Sequence, residues 1–163
     1  MKISGDCPIN RTDEKILRYL QDNCRMPIAV LAEKVNLSTS ACHRRVKLLE
    51  ESGKIDGYSA RLNARELGYR VMVYAEISLN SQSDDCLNEF EKAVKLCPEI
   101  LECHLMAGQA DYLIKVAARS TDHFERIHRR SLSHLPGVSH MKSNFVLRTI
   151  QPWEGYLIDD ANR

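Results

Sequence analysis

No stretch of the chain approaches the ~18 consecutive apolar residues of a membrane-spanning helix, and the N-terminus has no basic-then-apolar leader pattern. No two of the six cysteines are spaced C-x-x-C and none sits in a His-rich ligand pattern, which argues against a zinc ribbon or finger. His123 and His128 are five apart and do not share a helix face, and the neighbours Cys103 and His104 point to opposite sides of a strand. We therefore expect no metal site and no cofactor. Nucleophile elbows and glycine-rich phosphate loops are missing too, so the chain does not read as an enzyme. Together these absences describe a cytoplasmic protein with reduced thiols and no membrane partner. Neither sign of charge predominates: the net charge is +1, so a nucleic-acid partner would have to be met by a local basic cluster.

Such a cluster exists. Of the chain's residues 44% are hydrophobic, which supports a real core, and its 163 residues suffice for two small domains. From Ile28 to Glu51 the sequence reads as two helices joined by a tight turn at Asn36 and Leu37. Ser38 suits the N-cap of the second helix. Cys42, Val46 and Leu49 fall at helical spacing and form its apolar seam, with Cys42 either a small core residue or a redox switch. Ser38, Thr39, Ser40, His43, Arg44 and Lys47 are left on a polar, basic face, as a major-groove reader requires. An ordinary surface helix carries such a face too, so the residues alone leave both readings open. Arg45 is either a further DNA contact or the partner of an acidic neighbour.

Upstream, residues 1–11 read as a loose arm, and Thr12 is placed to cap a helix running to about Cys24, with Asp13 and Glu14 in its first turn. Pro27 suits a helix start, and Gly53 ends the last helix. Residues 1–55 thus form a helix-turn-helix domain, and 56–69 a wing and linker in which Asn63 caps a brief turn ending at Gly68. The pattern then changes to β-branched strands. Val71–Leu79, Ile100–Ala107, Asp111–Ala117 and a segment within Val138–Ile150 read as strands. One helix carries Cys86, Leu87, Phe90, Val94 and Leu96; a second, capped by Thr121, carries Phe124, Ile127 and Leu135. The order βαββαβ over residues 70–150 is the ferredoxin-like split unit. Residues 151–163 are a tail holding the only tryptophan, which packs on a neighbour or frays. The fold class is α+β: an N-terminal winged helix-turn-helix and a C-terminal ferredoxin-like βαββαβ domain.

This arrangement resembles the Lrp/AsnC (leucine-responsive, feast-famine) transcription regulators. The resemblance rests on Asp13-x-x-Ile16-Leu17 and on Leu37-Ser38 followed by Cys42, Arg45-Val46 and Leu49-Glu50. It continues in Gly53-Lys54-Ile55 with Gly57-Tyr58, Glu102-Cys103 with Gly108 and Asp111-Tyr112-Leu113, and Leu135-Pro136-Gly137-Val138. It implies that the βαββαβ domain is a RAM effector and oligomerisation domain, and that the chain forms a homodimer, paired through the sheets of its sensing domains and often built up to a tetramer or octamer. It also implies an imperfect palindromic double-stranded DNA site and a small effector, usually an amino acid, bound between sensing domains. By the same resemblance the effector neighbourhood is Leu105, Met106, Gly108, Gln109, Ala110, Asp111, Ser120, Thr121, Asp122 and Asn144. Gly108 would let the backbone approach the ligand, and Asp111 would either hold an ammonium group or only fix the loop. The chain departs from the family pattern at Thr39 and Ala41, where proline is frequent, and at Gln109, where an acid is frequent. The first turn of the reading helix is therefore less rigid and the effector site carries less charge. Two other functions remain: an architectural DNA-binding protein without effector, and a metabolite-binding regulatory subunit of an enzyme.

Overall fold

The structure, a computed structural model, describes residues 9–158. The expected arm lies outside the described residues up to position 8, and the tail from position 159 on. The chain divides into two units, one spanning residues 1–61 and 152–163 and the other 62–151.

In the first unit three helices follow in order: α1 (Arg11–Asp22), α2 (Ile28–Lys34) and α3 (Thr39–Glu51). The cap of α1 is Asn10, whose side-chain oxygen accepts from the amides of Thr12 and Asp13 at 3.0 and 2.9 Å. The expected cap, Thr12, lies inside the first turn. Pro27 stands at the head of α2, and its carbonyl accepts from the Leu31 amide. Asn36 takes φ +56° and closes the turn between α2 and α3, a conformation asparagine tolerates better than most residues. Ser38 caps α3 as expected, accepting from the Ala41 amide. Ile16, Leu31, Ala32, Val35, Cys42 and Leu49 are buried together, and Val46 and Ile55 pack against them. The seam of α3 is thus the inner face, and Cys42 is a core residue whose thiol burial pushes upward in pKa. Residues 55–63 form no helix or strand, so the extended piece expected at Ser59–Leu62 pairs with nothing. At Asn63 the side-chain oxygen accepts from the amides of Arg65 and Glu66 and starts the short turn to Gly68.

The second unit contains β1 (Val71–Leu79), α4 (Asp84–Lys95), β2 (Ile100–Leu105), β3 (Tyr112–Ala118), α5 (Thr121–Arg130) and β4 (Val138–Phe145). The sheet is antiparallel in the order β2-β3-β1-β4, the arrangement of a βαββαβ unit. The alternation along β1 buries Val73, Ala75, Ile77 and Leu79 against Phe90 of α4 and Phe124 and Ile127 of α5. The intervening Met72, Tyr74, Glu76 and Ser78 face the other side, which no helix of this unit covers. Several details differ from expectation: β2 ends at Leu105 rather than Ala107, and Leu96 lies just past α4 and is exposed. The cap of α5 is Ser120 rather than Thr121, its hydroxyl accepting from the His123 amide at 3.1 Å. That helix stops at Arg130, and Leu132–His134 form a separate 3-10 turn, so Leu135 reaches the core from extended chain.

Candidate DNA-reading helix and effector site

Thr39, Ser40, His43, Arg44 and Lys47 are exposed on α3, and Ser38 is exposed at its cap. The spacing of the buried Cys42 and Leu49 sets this, since each step along a helix turns the side chain by about 100°. The Ser38 and Ser40 hydroxyls lie 3.2 Å apart at the helix start, where free amides and the helix dipole favour an anion. Lys47 pairs loosely with Glu51 across one turn at 3.7 Å. Arg44 has no carboxylate partner among the described residues. Arg45 is different. It is half-buried, and its Nη1 donates to Asp13 Oδ1 of α1 at 2.8 Å, tying the two helices together. Of the two roles the sequence leaves open for it, the geometry displays the structural one.

The residues expected around an effector do not converge within one chain. The hairpin turn carrying Gly108, Gln109, Ala110 and Asp111 lies where β3 begins, next to Ile77 of β1. Ser120, Thr121 and Asp122 follow the other end of β3, where Ala118 pairs with Val71. The seven residues of β3, six steps of extended strand, separate these ends by roughly 20 Å. Asn144 sits between them on the open face of the sheet, opposite Tyr74, and its Nδ2 donates to Glu76 Oε1 at 3.0 Å.

At the hairpin turn, Leu105 and Met106 are exposed. A Cβ on Gly108 would meet nothing within 4 Å, so nothing in the chain's own packing demands glycine there. Asp111 is already engaged: Oδ2 accepts from the Leu79 amide and Oδ1 from Gln82 Nε2, each at 2.7 Å. Its carboxylate fixes the loop to β1. Asp122 makes no ion pair or hydrogen bond through its carboxylate among the described residues.

The open face of the sheet carries a charged ladder that single-strand patterns could not reveal, because its members pair across strands. Lys115 donates to Glu102 at 2.6 Å, and Lys142 lies 3.6 Å from Glu76. The Lys115 hydrogen bond holds the Glu102 carboxyl below its usual range, and Glu102 in turn raises the pKa of Lys115. On the helix side, Tyr112 is fully buried, stacks on Phe90 at 4.5 Å between centroids, and donates to Glu91 at 3.0 Å.

The comparisons with known proteins agree with this geometry. The family profile of the Lrp/AsnC ligand binding domain matches residues 72–153, and that of a winged helix-turn-helix DNA-binding domain matches residues 9–56. The Bkd operon transcriptional regulator of Pseudomonas aeruginosa is 37% identical, over 87% of this chain and 93% of its own. The leucine-responsive regulatory protein of Escherichia coli K12 is 35% identical, over 88% and 87%. A Neisseria meningitidis transcriptional regulator, solved as a complex with L-methionine, superposes with a TM-score of 0.84 at 32% identity, over 89% of this chain and 94% of that one. A DNA-reading helix followed by a βαββαβ sensing unit, both matched in this order, is the family's own arrangement: the chain belongs to the Lrp/AsnC family of DNA-binding transcriptional regulators.

Proposed function

We propose that the chain regulates transcription as a homo-oligomer that binds double-stranded DNA through α3 and is switched by an amino acid held where two sensing units meet. The observation that carries the effector half is the separation of the hairpin turn from the start of α5 by the length of β3. One molecule as small as an amino acid cannot touch both ends of one protomer, so a second copy has to supply the other half. The L-methionine bound by the Neisseria relative supports the ligand class. Hairpin-turn amides of one copy would receive the carboxylate. Because Asp111 is spent on Leu79 and Gln82, the ammonium falls to another acceptor, and Asp122 at the start of α5 in the second copy is the candidate. Exposed Leu105 and Met106 suit a medium-sized apolar or neutral side chain.

The open sheet face, with Met72, Tyr74 and Leu113 half-buried among its charges, supports pairing of two protomers face to face. Assembly to a tetramer or octamer would then bring further edges together. Two α3 helices related by a two-fold axis read half-sites about 34–36 Å apart or a multiple of it, which makes an imperfect palindrome the expected operator. In each half-site Ser38, Thr39 and Ser40 contact phosphate or base edges, and His43, Arg44 and Lys47 the bases or backbone. Arg45 joins them only if it leaves Asp13.

A thermal-shift panel of the twenty amino acids tests the effector. A true ligand at a hundredfold excess over its dissociation constant adds about 2.7 kcal/mol of stability, and one or a few clear shifts are expected. A flat panel overturns the amino-acid reading and leaves an architectural DNA-binding protein as its replacement.

A further inference from the structure

The segment after the sensing unit returns to the DNA-reading unit and is held there by its backbone. Gln21, near the end of α1, uses both ends of its carboxamide on one residue of the tail. Its Nε2 donates to the Tyr156 carbonyl at 2.8 Å, and its Oε1 accepts from the Tyr156 amide at 2.9 Å. One turn earlier, Arg18 Nη2 donates to the Ile158 carbonyl at 2.7 Å. A primary amide presents a donor and an acceptor side by side, and so imitates the pairing a neighbouring strand would offer. Beside it, Gly155 takes φ +118°, and a Cβ there would lie 2.3 Å from Gln21 Cδ. The backbone conformation therefore favours glycine, and a Cβ would in addition push the flexible end of Gln21 out of its place. Because the contact reads main chain, the side chains of Trp153, Tyr156 and Leu157 stay exposed, the two rings edge to face.

We propose that Gln21 and Arg18 form a peptide-docking site on the outer side of α1, selective for a segment with glycine beside Gln21, and that residues 152–158 occupy it as a releasable strap. The chain passes from the reading unit to the sensing unit at residues 61–62 and back at 151–152. Docking thus gives the sensing unit a second tether to the reading unit, made through hydrogen bonds to the tail. All three hydrogen bonds are solvent-exposed, and exposed bonds of this kind open locally at little cost. A shift in the sensing unit can reach α1 through the tail without passing through the linker. The docking stands on geometry alone; the coupling rests on the regulatory function proposed above.

Trp153 is the only tryptophan in the chain, so its time-resolved fluorescence anisotropy on the full-length protein reports the strap directly. We expect slow decay in the native protein, and a large nanosecond component in Gln21→Ala and in Gly155→Ala, with far-UV circular dichroism unchanged in both. Gln21 is exposed, so its removal leaves the three-helix core intact. Gln21→Glu keeps the acceptor and loses the donor, and should give intermediate release. A fast-moving Trp153 in the native protein, or one equally restrained in the variants, overturns the docking site. Titrations with a selected duplex, with and without L-methionine or L-leucine, then test coupling. Release should change DNA affinity, or its response to the amino acid, by about fivefold or more. A freed Trp153 with native affinity and native response overturns the coupling and leaves a passive tether. A native protein that binds neither duplex nor amino acid refutes the regulatory function, and with it the coupling, while the anisotropy still decides the docking.

Discussion

Arg44 and Arg45 are neighbours with opposite employment. Arg44 is exposed on the outer face of α3 and makes no ion pair among the described residues, and Arg45 is bound to Asp13 from the adjacent helix. Arg44→Ala should weaken duplex binding, lower the slope of log affinity against log salt by about 1, and leave the unfolding midpoint in urea unchanged. Arg45→Ala should lower stability by about 1 kcal/mol in the same urea titration, the worth of a partly shielded ion pair. Asp111 belongs with Arg45. Since its two oxygens hold Leu79 and Gln82, Asp111→Ala should lower the melting temperature even with no amino acid present; a variant as stable as the native protein would return the carboxylate to the ligand. Helical period was enough to place Arg44. It could not place Arg45 or Asp111, whose partners lie 32 and 29 to 32 residues away in sequence.

At the scale of elements, types and order were legible because periodicity is a property of the whole segment, whereas boundaries were not. Asn10 and Thr12 are both capping residues, as are Ser120 and Thr121, and only the geometry chooses between them. The choice is measurable: Asn10→Ala should cost about 1 kcal/mol and Thr12→Ala much less, as judged by thermal unfolding of each variant. The link from α5 to β4 shows how tightly the sensing unit is closed. Gly137 takes φ +72°, and a Cβ there would stand 2.7 Å from the Cys86 thiol of α4. Gly137→Ala should therefore destabilise by about 1–3 kcal/mol in chemical denaturation. The Leu-Pro-Gly-Val segment was readable as a turn, but the cysteine packed beneath it was not.

The whole molecule should carry a signature of the ladder on its open sheet face. The Glu102 carboxyl titrates below its usual 4.5 because Lys115 stabilises the charged form. Its contribution is complete above that value and is lost as the pH falls through the lower, folded-state pKa. Lys115 has the opposite sense: raised above 10.5, it contributes fully below that value and loses its contribution as the pH climbs through its folded-state pKa. At the alkaline end, burial and then the Glu91 bond push Tyr112 up to about 12. Its contribution is present below 10 and fades as the pH rises from there to about 12. Melting temperature against pH should thus be flat in the middle and fall at both ends, and Glu102→Gln should flatten part of the acid limb; an unchanged acid limb would show that the pair adds nothing. The passage from a helix-turn-helix core to a βαββαβ unit was visible in the sequence as a change of period. The tail's destination was not, because a side-chain amide that recognises main chain leaves no residue pattern in the segment it holds.

That return has a consequence for how such regulators can be recombined. The DNA-reading unit is discontinuous, with residues 9–61 and 152–158 belonging to one body among the described residues. A hybrid regulator made by a single crossover at the linker would join this helix-turn-helix to a foreign tail, with no assurance of glycine beside Gln21. Grafting its operator preference onto another sensor needs two exchanges, one at each end of the βαββαβ unit, and libraries of chimaeras cut only once would discard the pairing between α1 and its own C-terminal segment.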